Sequence, residues 1–421
     1  MLQTRVINDN ITLSYIPMGK LKTTTVGFYI HCPLTRESAA SNALIASILK
    51  QGSKDYPSRE LLTKRLDELY GATLASGVSK KGEDHILSFE VECISDKYTM
   101  SGEKLLGQLV SVLFGVIFEP ATENGMFMSD AFKQEKKNLI DRIRASVNDK
   151  RTYANERLCE ITSDGTPYAV PRLGDEETVS VLDNEKLFSY YKDMITSSKI
   201  DVFVAGETDI DELDKRLSLL ASEMSFNQSY LPACEILEKA PKVKTVTENM
   251  DVTQGKLAMS FTTGVKPSDD KNWGMIVANS IFGGGAHSKL FNNVREKLSL
   301  AYYAGSQLHK FKGFIAVNAG VEFENFGKAY DEILAQLDEL KKGNITDDEF
   351  TAAKMALINS LNSYYDDQLY MQSFYLGEKI AGTNYDIDYY IKKIEEVSIK
   401  DVTDAAADIE LNSVYYLRGR E

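Results

Sequence analysis

The sequence predicts an α+β protein built of two duplicated halves, each setting several mainly antiparallel strands against helices packed on one side. Three observations lead there. At 421 residues the chain exceeds the size at which one hydrophobic core usually stops growing, so two domains are expected. Residues also recur at a single offset: Phe132 and Phe350 are 218 positions apart (350 minus 132), and so are Lys136 and Lys354, Leu139 and Leu357, Ile140 and Ile358, Asp149 and Asp367, and Leu158 and Leu376. The same offset pairs Val179-Ser180 with Val397-Ser398 and Asp183 with Asp401. Gap-free matches over about fifty residues are the mark of a duplicated unit. Finally, each half interleaves runs of alternating apolar residues with longer helical patterns.

Residues 11–32 read as two strands joined by a polar turn at Gly19-Lys20. The second alternates Val26, Phe28, Ile30 and Cys32 with Gly27, Tyr29 and His31, which makes His31 a strand residue with an ordinary hydrogen bond rather than a ligand. From Ser38 to Gln51 small and apolar residues occur nearly all round, a buried helix that Gly52 stops. A second helix spans Arg59 to Tyr70, and a strand region follows that closes at Cys93. Helical pattern then occupies 101–118 and 127–164, and another helix follows Asp183. Ile200–Ala205 reads as a strand, and Asp209 to about Met224 as a helix. Pro232 and Pro241, with little apolar periodicity around them, mark 227–242 as a linker between domains 1–226 and 243–421. The second half restarts with a strand through Leu257, Met259 and Phe261.

The stretch from Phe282 to Tyr302 is the most informative. Gly283, Gly284 and Gly285 permit a tight turn or a close approach to another chain segment, and a short amphipathic helix follows. On an α-helix Leu290, Phe291, Val294 and Leu298 share a stripe of roughly 100°. Arg295 lies just outside its edge, so it can be anchored by packing while its guanidinium faces a cleft. Tyr302 follows where strand should resume, so a planar donor and a phenol can converge on one ligand. This constellation binds; by itself it breaks no bond.

Composition narrows the function classes. Forty-eight Lys and Arg against 62 Asp and Glu give a net charge of -14, which repels nucleic-acid phosphates and anionic lipid. Nucleic-acid and membrane partners are not expected. Cys32, Cys93, Cys159 and Cys234 are widely spaced with no Cys-x-x-Cys pair, and Cys93, continuing the apolar alternation of Leu87, Phe89 and Val91, suits a reduced, buried thiol. The chain begins without the apolar run of a signal peptide, so a cytoplasmic location is expected. Its four histidines, His31, His85, His287 and His309, include no two within twenty residues of each other, which excludes the helical pair of His that a zinc peptidase commonly uses. His287 opens the helix after the glycines, as a helix-start residue or facing a ligand. The Lys-Ser or Lys-Thr of a phosphate-binding loop is missing, and there is no Gly-x-Ser-x-Gly elbow.

With these residues in view, the chain resembles the pitrilysin-type zinc peptidase family, which includes insulin-degrading enzyme and the mitochondrial processing peptidase. The resemblance spans nearly the whole chain: the duplicated half, Leu173-Gly-Asp-Glu-Glu-Thr-Val179, Val202-Phe-Val-Ala-Gly206, and above all the glycine loop with Ser288-Lys-Leu-Phe291, Arg295-Glu296 and Leu300-Ala-Tyr302. It implies two mitochondrial-processing-peptidase-like domains. Active members carry His-x-x-Glu-His some ten residues before a Gly-Thr or Gly-Ser. Counting back from Gly52-Ser53 puts Ala43, Ala46 and Ser47 at those positions. The family's remaining ligand, a Glu on a later helix, aligns with Arg142 or, shifted by one, with Asp141.

The resemblance thus implies a chain with no metal and no catalytic residue of its own. Small members of the family often work as pairs in which one subunit has the zinc motif and the other offers an Arg and a Tyr that hold substrate. Arg295 and Tyr302, with Gly283–Gly285, match that second subunit. The expectation is a zinc-free, substrate-binding subunit of a bacterial heterodimeric peptidase, with zinc in the homologous partner and a peptide as substrate; the isolated chain forming a homodimer is a further arrangement. The alternative is a non-catalytic structural or peptide-holding protein of the same fold.

Overall fold

The computed structural model describes residues 2–227, 235–237, 239 and 242–420. Most of the expected linker 227–242, including Pro232, Cys234 and Pro241, lies outside the described residues.

In the first half β1 (Gln3–Val6), β2 (Ile11–Pro17) and β3 (Thr23–Pro33) precede α1 (Arg36–Leu49) and α2 (Arg59–Glu68). The hairpin β4 (Thr73–Lys81) and β5 (Asp84–Ile94) follows, then α3 (Leu106–Phe118) and a two-residue ribbon, β6 (Thr122–Glu123) with β7 (Met126–Phe127). The helical span expected over 127–164 is two helices, α4 (Ser129–Ser146) and α5 (Lys150–Thr162), because Asp149 caps a new start by accepting from the N–H groups of Arg151 and Thr152. After these come α6 (Glu176–Val181), α7 (Asn184–Ser197), β8 (Lys199–Gly206) and α8 (Ile210–Ser222).

The second half runs β9 (Lys244–Met250), β10 (Gly255–Thr262), α9 (Lys271–Gly283), a π-helix (Leu290–Lys297), β11 (Ala301–His309) and β12 (Phe314–Val321). It closes with α10 (Phe326–Lys341), α11 (Asp347–Ser363), α12 (Gln368–Ala381), α13 (Ile387–Glu396), α14 (Ile399–Ala406) and β13 (Glu410–Gly419).

The two sheets have one topology. The first is ordered β1-β2-β8-β3-β5-β4 and the second β11-β12-β10-β13-β9. Read from the opposite end, the second repeats the first without β1. Even the single parallel contact recurs, β2 with β8 and β9 with β13, among otherwise antiparallel neighbours. On the first sheet Val26, Phe28, Ile30, Leu87, Phe89 and Val91 pack with α1, α3 and α7 into one apolar core.

The 218-residue repeat is visible in the bonds. Lys136 donates to the carbonyls of Ser180 and Leu182, and Lys354 to those of Glu395 and Val397. Asp149 caps α5, and Asp367 caps α12 through the N–H groups of Leu369 and Tyr370.

The compact units differ from the contiguous domains 1–226 and 243–421. One unit takes residues up to Arg144, the chain from Val170 to the edge of the undescribed segment, and Tyr364–Gly377; the other takes Ala145–Ala169, the described chain from Glu235 to Ser363, and Glu378 onward. The halves have therefore exchanged equivalent helices. In the first unit α12 lies on the face of the sheet opposite α1: Gln372 is fully buried, donating to Thr25 Oγ1 at 2.6 Å and accepting from Tyr29 at 2.9 Å. Gly27 makes room for it, since a Cβ there would stand 2.4 Å from Gln372 Oε1. In the second unit α5 does the same beneath β10: Ala154 and Leu158 pack on Ala258, Ala316 and Tyr415, and Thr162 donates to Ser260 at 2.7 Å. Among the described residues no helix is long and apolar enough to cross a membrane.

Candidate functional site

The degenerate metal positions fall on α1 and α4 of the first unit. Ala43, Ala46 and Ser47 are buried on α1. Ser47 Oγ donates to the Ala43 carbonyl at 3.1 Å and accepts from Arg142 Nη2 at 3.0 Å. The donor set is therefore two methyl groups, an occupied hydroxyl and a permanent cation, which does not fit zinc. Arg142 brings positive charge to the position instead. Glu135, two turns earlier on α4, accepts from Gln51 at 3.0 Å and Asn138 at 3.2 Å, so it supplies no unengaged ligand either. The contact with Ser47 also selects Arg142 over Asp141 as the residue facing α1.

Arg295 and Tyr302 belong to the second unit, and both sit on backbone irregularities. The segment expected as an α-helix is a π-helix, Leu290–Lys297. Its N–H groups reach back five residues, as in Leu298 N to Asn293 O at 3.1 Å. A π-helix advances by roughly 80° per residue instead of 100°. Leu290 and Val294 stay buried together, but Leu298 swings out of the expected stripe and is 45% exposed. Arg295 stacks over the Phe291 ring at 4.6 Å and pairs with Glu296 at 3.4 Å, its guanidinium at the surface. The start of the π-helix is tied down by Lys289, which is buried and donates to the Asn344 carbonyl at 2.7 Å and to both oxygens of Glu349 at 3.1 Å.

Tyr302 opens β11 at a shift of register: Ala301 faces Val321, Tyr303 faces Gly320, and Tyr302 is the extra residue. Such a bulge re-aims a side chain, and Tyr302 projects into solvent, 61% exposed. Its hydroxyl donates to Glu322 Oε1 at 2.5 Å. That hydrogen bond, and then the carboxylate's charge, raise the phenol's pKa.

The three glycines divide the work. Gly283 is buried, and a Cβ on it would stand 2.5 Å from the backbone nitrogen of Ser306 on β11. Gly284 and Gly285 are exposed. His287 turns inward, its Nε2 lying 3.1 Å from the carbonyl of Ser280, as a helix-start residue does.

Two buried histidines behave unlike the ordinary residue expected at position 31. His31 lies between Asp84, 2.5 Å from Nδ1, and Asp201, 3.2 Å from Nε2. Burial pushes its pKa down, but the bonds to Asp201 and Asp84 outweigh it and hold the imidazole at about 9. His85, on the face toward α1, bonds Asn42 and the carbonyl of Arg172; burial foremost, with the charges of Lys80 and Arg172, lowers it to about 4. Cys32 and Cys93 are buried thiols, as is Cys159 in the second unit, and burial pushes Cys32 and Cys93 up to about 12.

Sequence patterns did not reveal the π-helix, the bulge or the partner of Tyr302. The first shares its i, i+4 apolar spacing with an α-helix, and Glu322 lies twenty residues from Tyr302 in sequence (322 minus 302).

A fold duplicated in this way, with Ala43, Ala46, Ser47 and Arg142 where zinc ligands and base would stand, defines a peptidase homologue without the zinc motif. The model of the family described as peptidase M16 inactive domain matches residues 182–357. A probable inactive metalloprotease, YmfF of Bacillus subtilis (strain 168), is 32% identical over 416 residues, which is 98% of this chain and 97% of that one. The same organism's uncharacterized zinc protease YmxG is 23% identical over 323 residues, 75% of this chain and 76% of its own. The crystal structure of a conserved protein from Enterococcus faecalis V583 superposes with a TM-score of 0.91 at 28% identity, covering 100% of this chain and 99% of that one. The chain belongs to the pitrilysin-type, or M16, peptidase family, as a member lacking the zinc motif.

Proposed function

We propose that this chain is the zinc-free, substrate-binding subunit of a cytoplasmic heterodimeric peptidase, whose homologous partner holds the zinc and performs the hydrolysis. The observation that carries the reading is that Arg295 and Tyr302 are both exposed and each sits on a backbone irregularity, although the metal site of the same chain is erased. Single-residue departures from regular helix and strand persist where they aim a side chain at a task. Two related chains in Bacillus subtilis, one named an inactive metalloprotease and one a zinc protease, support a division of labour.

In this reading Arg295, held against Phe291, donates to a carbonyl of the bound peptide. The Tyr302 hydroxyl would leave Glu322 and donate to the scissile carbonyl oxygen as negative charge develops on it. Gly284 and Gly285, with no side chains, let the peptide approach the loop, whereas Gly283 is spent on packing against β11. Zinc, supplied by the partner, would activate water and polarise the scissile carbonyl.

The test is hydrolysis of a peptide library by the purified chain, alone and mixed with the zinc-motif homologue from the same organism, with and without a chelator. Activity confined to the mixture and lost with the chelator is expected. Activity of this chain alone, or none in either sample, contradicts the reading.

A further inference from the structure

The helix exchange leaves a cavity in the first unit that the Arg295 and Tyr302 reading does not use. On the face opposite α1, α12 lies along β3 through Gln368 and Gln372 and leaves the β4–β5 hairpin bare. The residues of β4 that point to this face are small, Ala75, Gly77 and Ser79, and the outer two are exposed. The step between this ledge and α12 encloses about 520 Å³, within the range of roughly 300–1,000 Å³ usual for small-ligand sites.

Its chemistry is polarised. Glu90 projects from β5 into the floor, opposite Gly27, and is half-buried. Burial foremost raises its pKa against the lowering effect of Tyr29 and Ser88, so a cation would relieve a carboxylate held at a cost there. At the mouth Lys81 Nζ donates to Ser373 Oγ at 3.3 Å. Lys80 turns away, donating to the Val170 carbonyl at 3.0 Å, and the Asp367 carboxylate is engaged by the first N–H groups of α12. One wall is apolar: Leu369 is 42% and Tyr370 59% exposed. An acid at the floor, an ammonium at the mouth and an apolar wall between them match an amphoteric ligand with an apolar side chain.

We propose that this cavity binds a short peptide with free termini, its α-ammonium on Glu90, its carboxylate on Lys81 and an apolar side chain against Tyr370 and Leu369. The site is independent of Arg295 and Tyr302. It gives the chain a place for small peptides, the class of product that a peptidase releases.

Isothermal titration of the full chain with the dipeptide Leu-Leu tests it. One saturable site per chain is expected. N-acetylation of the dipeptide should weaken binding at least about tenfold, as the loss of a charge-assisted hydrogen bond does, and Glu90→Gln should do the same. C-terminal amidation should weaken binding to the unsubstituted chain and make no further difference in Lys81→Ala. Tyr370→Ala, at an exposed position whose ring stacks only on Tyr364 among the ring contacts, should weaken binding several-fold in a chain still folded by thermal unfolding. Arg295→Ala should bind as the unsubstituted chain does, whatever it does to hydrolysis. No saturable binding, or undiminished binding by a folded Glu90→Gln chain, overturns the site; loss of binding in Arg295→Ala places the dipeptide in the second unit and also overturns it.

Discussion

His31 and His85 lie on opposite faces of one sheet and should titrate against each other. His31, held at about 9, binds its proton more tightly folded than unfolded. Its contribution is complete below the unfolded value near 6.5 and is lost as pH rises from there through 9. His85, lowered to about 4, is the converse: the unfolded chain takes up the proton first, so stability falls as pH drops from about 6.5 towards 4. Urea unfolding measured from pH 4.5 to 9 should therefore show a maximum near neutrality, with each limb worth at most about 3.5 kcal/mol at 1.4 kcal/mol per pKa unit. His31→Gln should flatten the alkaline limb and His85→Gln the acid one. The charge state at position 31 was not legible in sequence, because Asp84 and Asp201 reach it from other strands. The burial of Ala43, Ala46 and Ser47 on one helix was legible, since small and apolar residues run nearly all round it. Restoring Ala43→His, Ala46→Glu and Ser47→His while keeping Arg142 should give weak zinc binding by competition with a chromogenic chelator. Adding Arg142→Glu should tighten it by at least about 100-fold, by exchanging a buried-side cation for a ligand. Equal affinity in the two variants would show that Arg142 does not oppose the metal.

The π-helix and the bulge of β11 are departures from regular elements, and both escaped prediction for a physical reason. Apolar residues at i and i+4, such as Leu290 and Val294, are shared by α and π winding; only Leu298, several residues on, reveals the difference. A bulge adds one residue to a strand without changing its composition, so Tyr302 could be placed at the strand start but not aimed. The close packing of α9 on β11 fixes where this pair of irregularities begins. Gly283→Ala would set a methyl carbon 2.5 Å from the Ser306 nitrogen, and backbone cannot yield as a flexible side chain can. A loss of about 1–3 kcal/mol is expected, and a similar loss for Gly284→Ala, whose Cβ would stand 2.6 Å from Ser280 Cα, against little change on unfolding for Gly285→Ala, whose Cβ would meet only the His287 ring. A cost at Gly285 equal to that at Gly283 would assign all three glycines to packing.

At the scale of the whole chain, duplication was legible because its matches are structural fixtures: Asp149 and Asp367 start equivalent helices, and Lys136 and Lys354 cap equivalent carbonyl ends. The exchange of α5 and α12 was not, since order along a chain does not say which sheet a helix covers. Each half alone lacks the helix that covers the second face of its sheet. Separately expressed fragments 1–227 and 243–421 should therefore be poorly folded alone and regain cooperative unfolding when mixed. Independent cooperative folding of either fragment would contradict the exchange as a stabilising feature.

In the proposed function the chain lends Arg295 and Tyr302 to a partner's zinc centre. The most direct measurement is steady-state hydrolysis by the pair reconstituted with Arg295→Ala and with Tyr302→Phe, with assembly followed by size-exclusion chromatography. Losing a charged or oxyanion hydrogen bond should lower kcat/KM by roughly tenfold to 1,000-fold while the pair still assembles. Unchanged turnover by both assembled variants would contradict it.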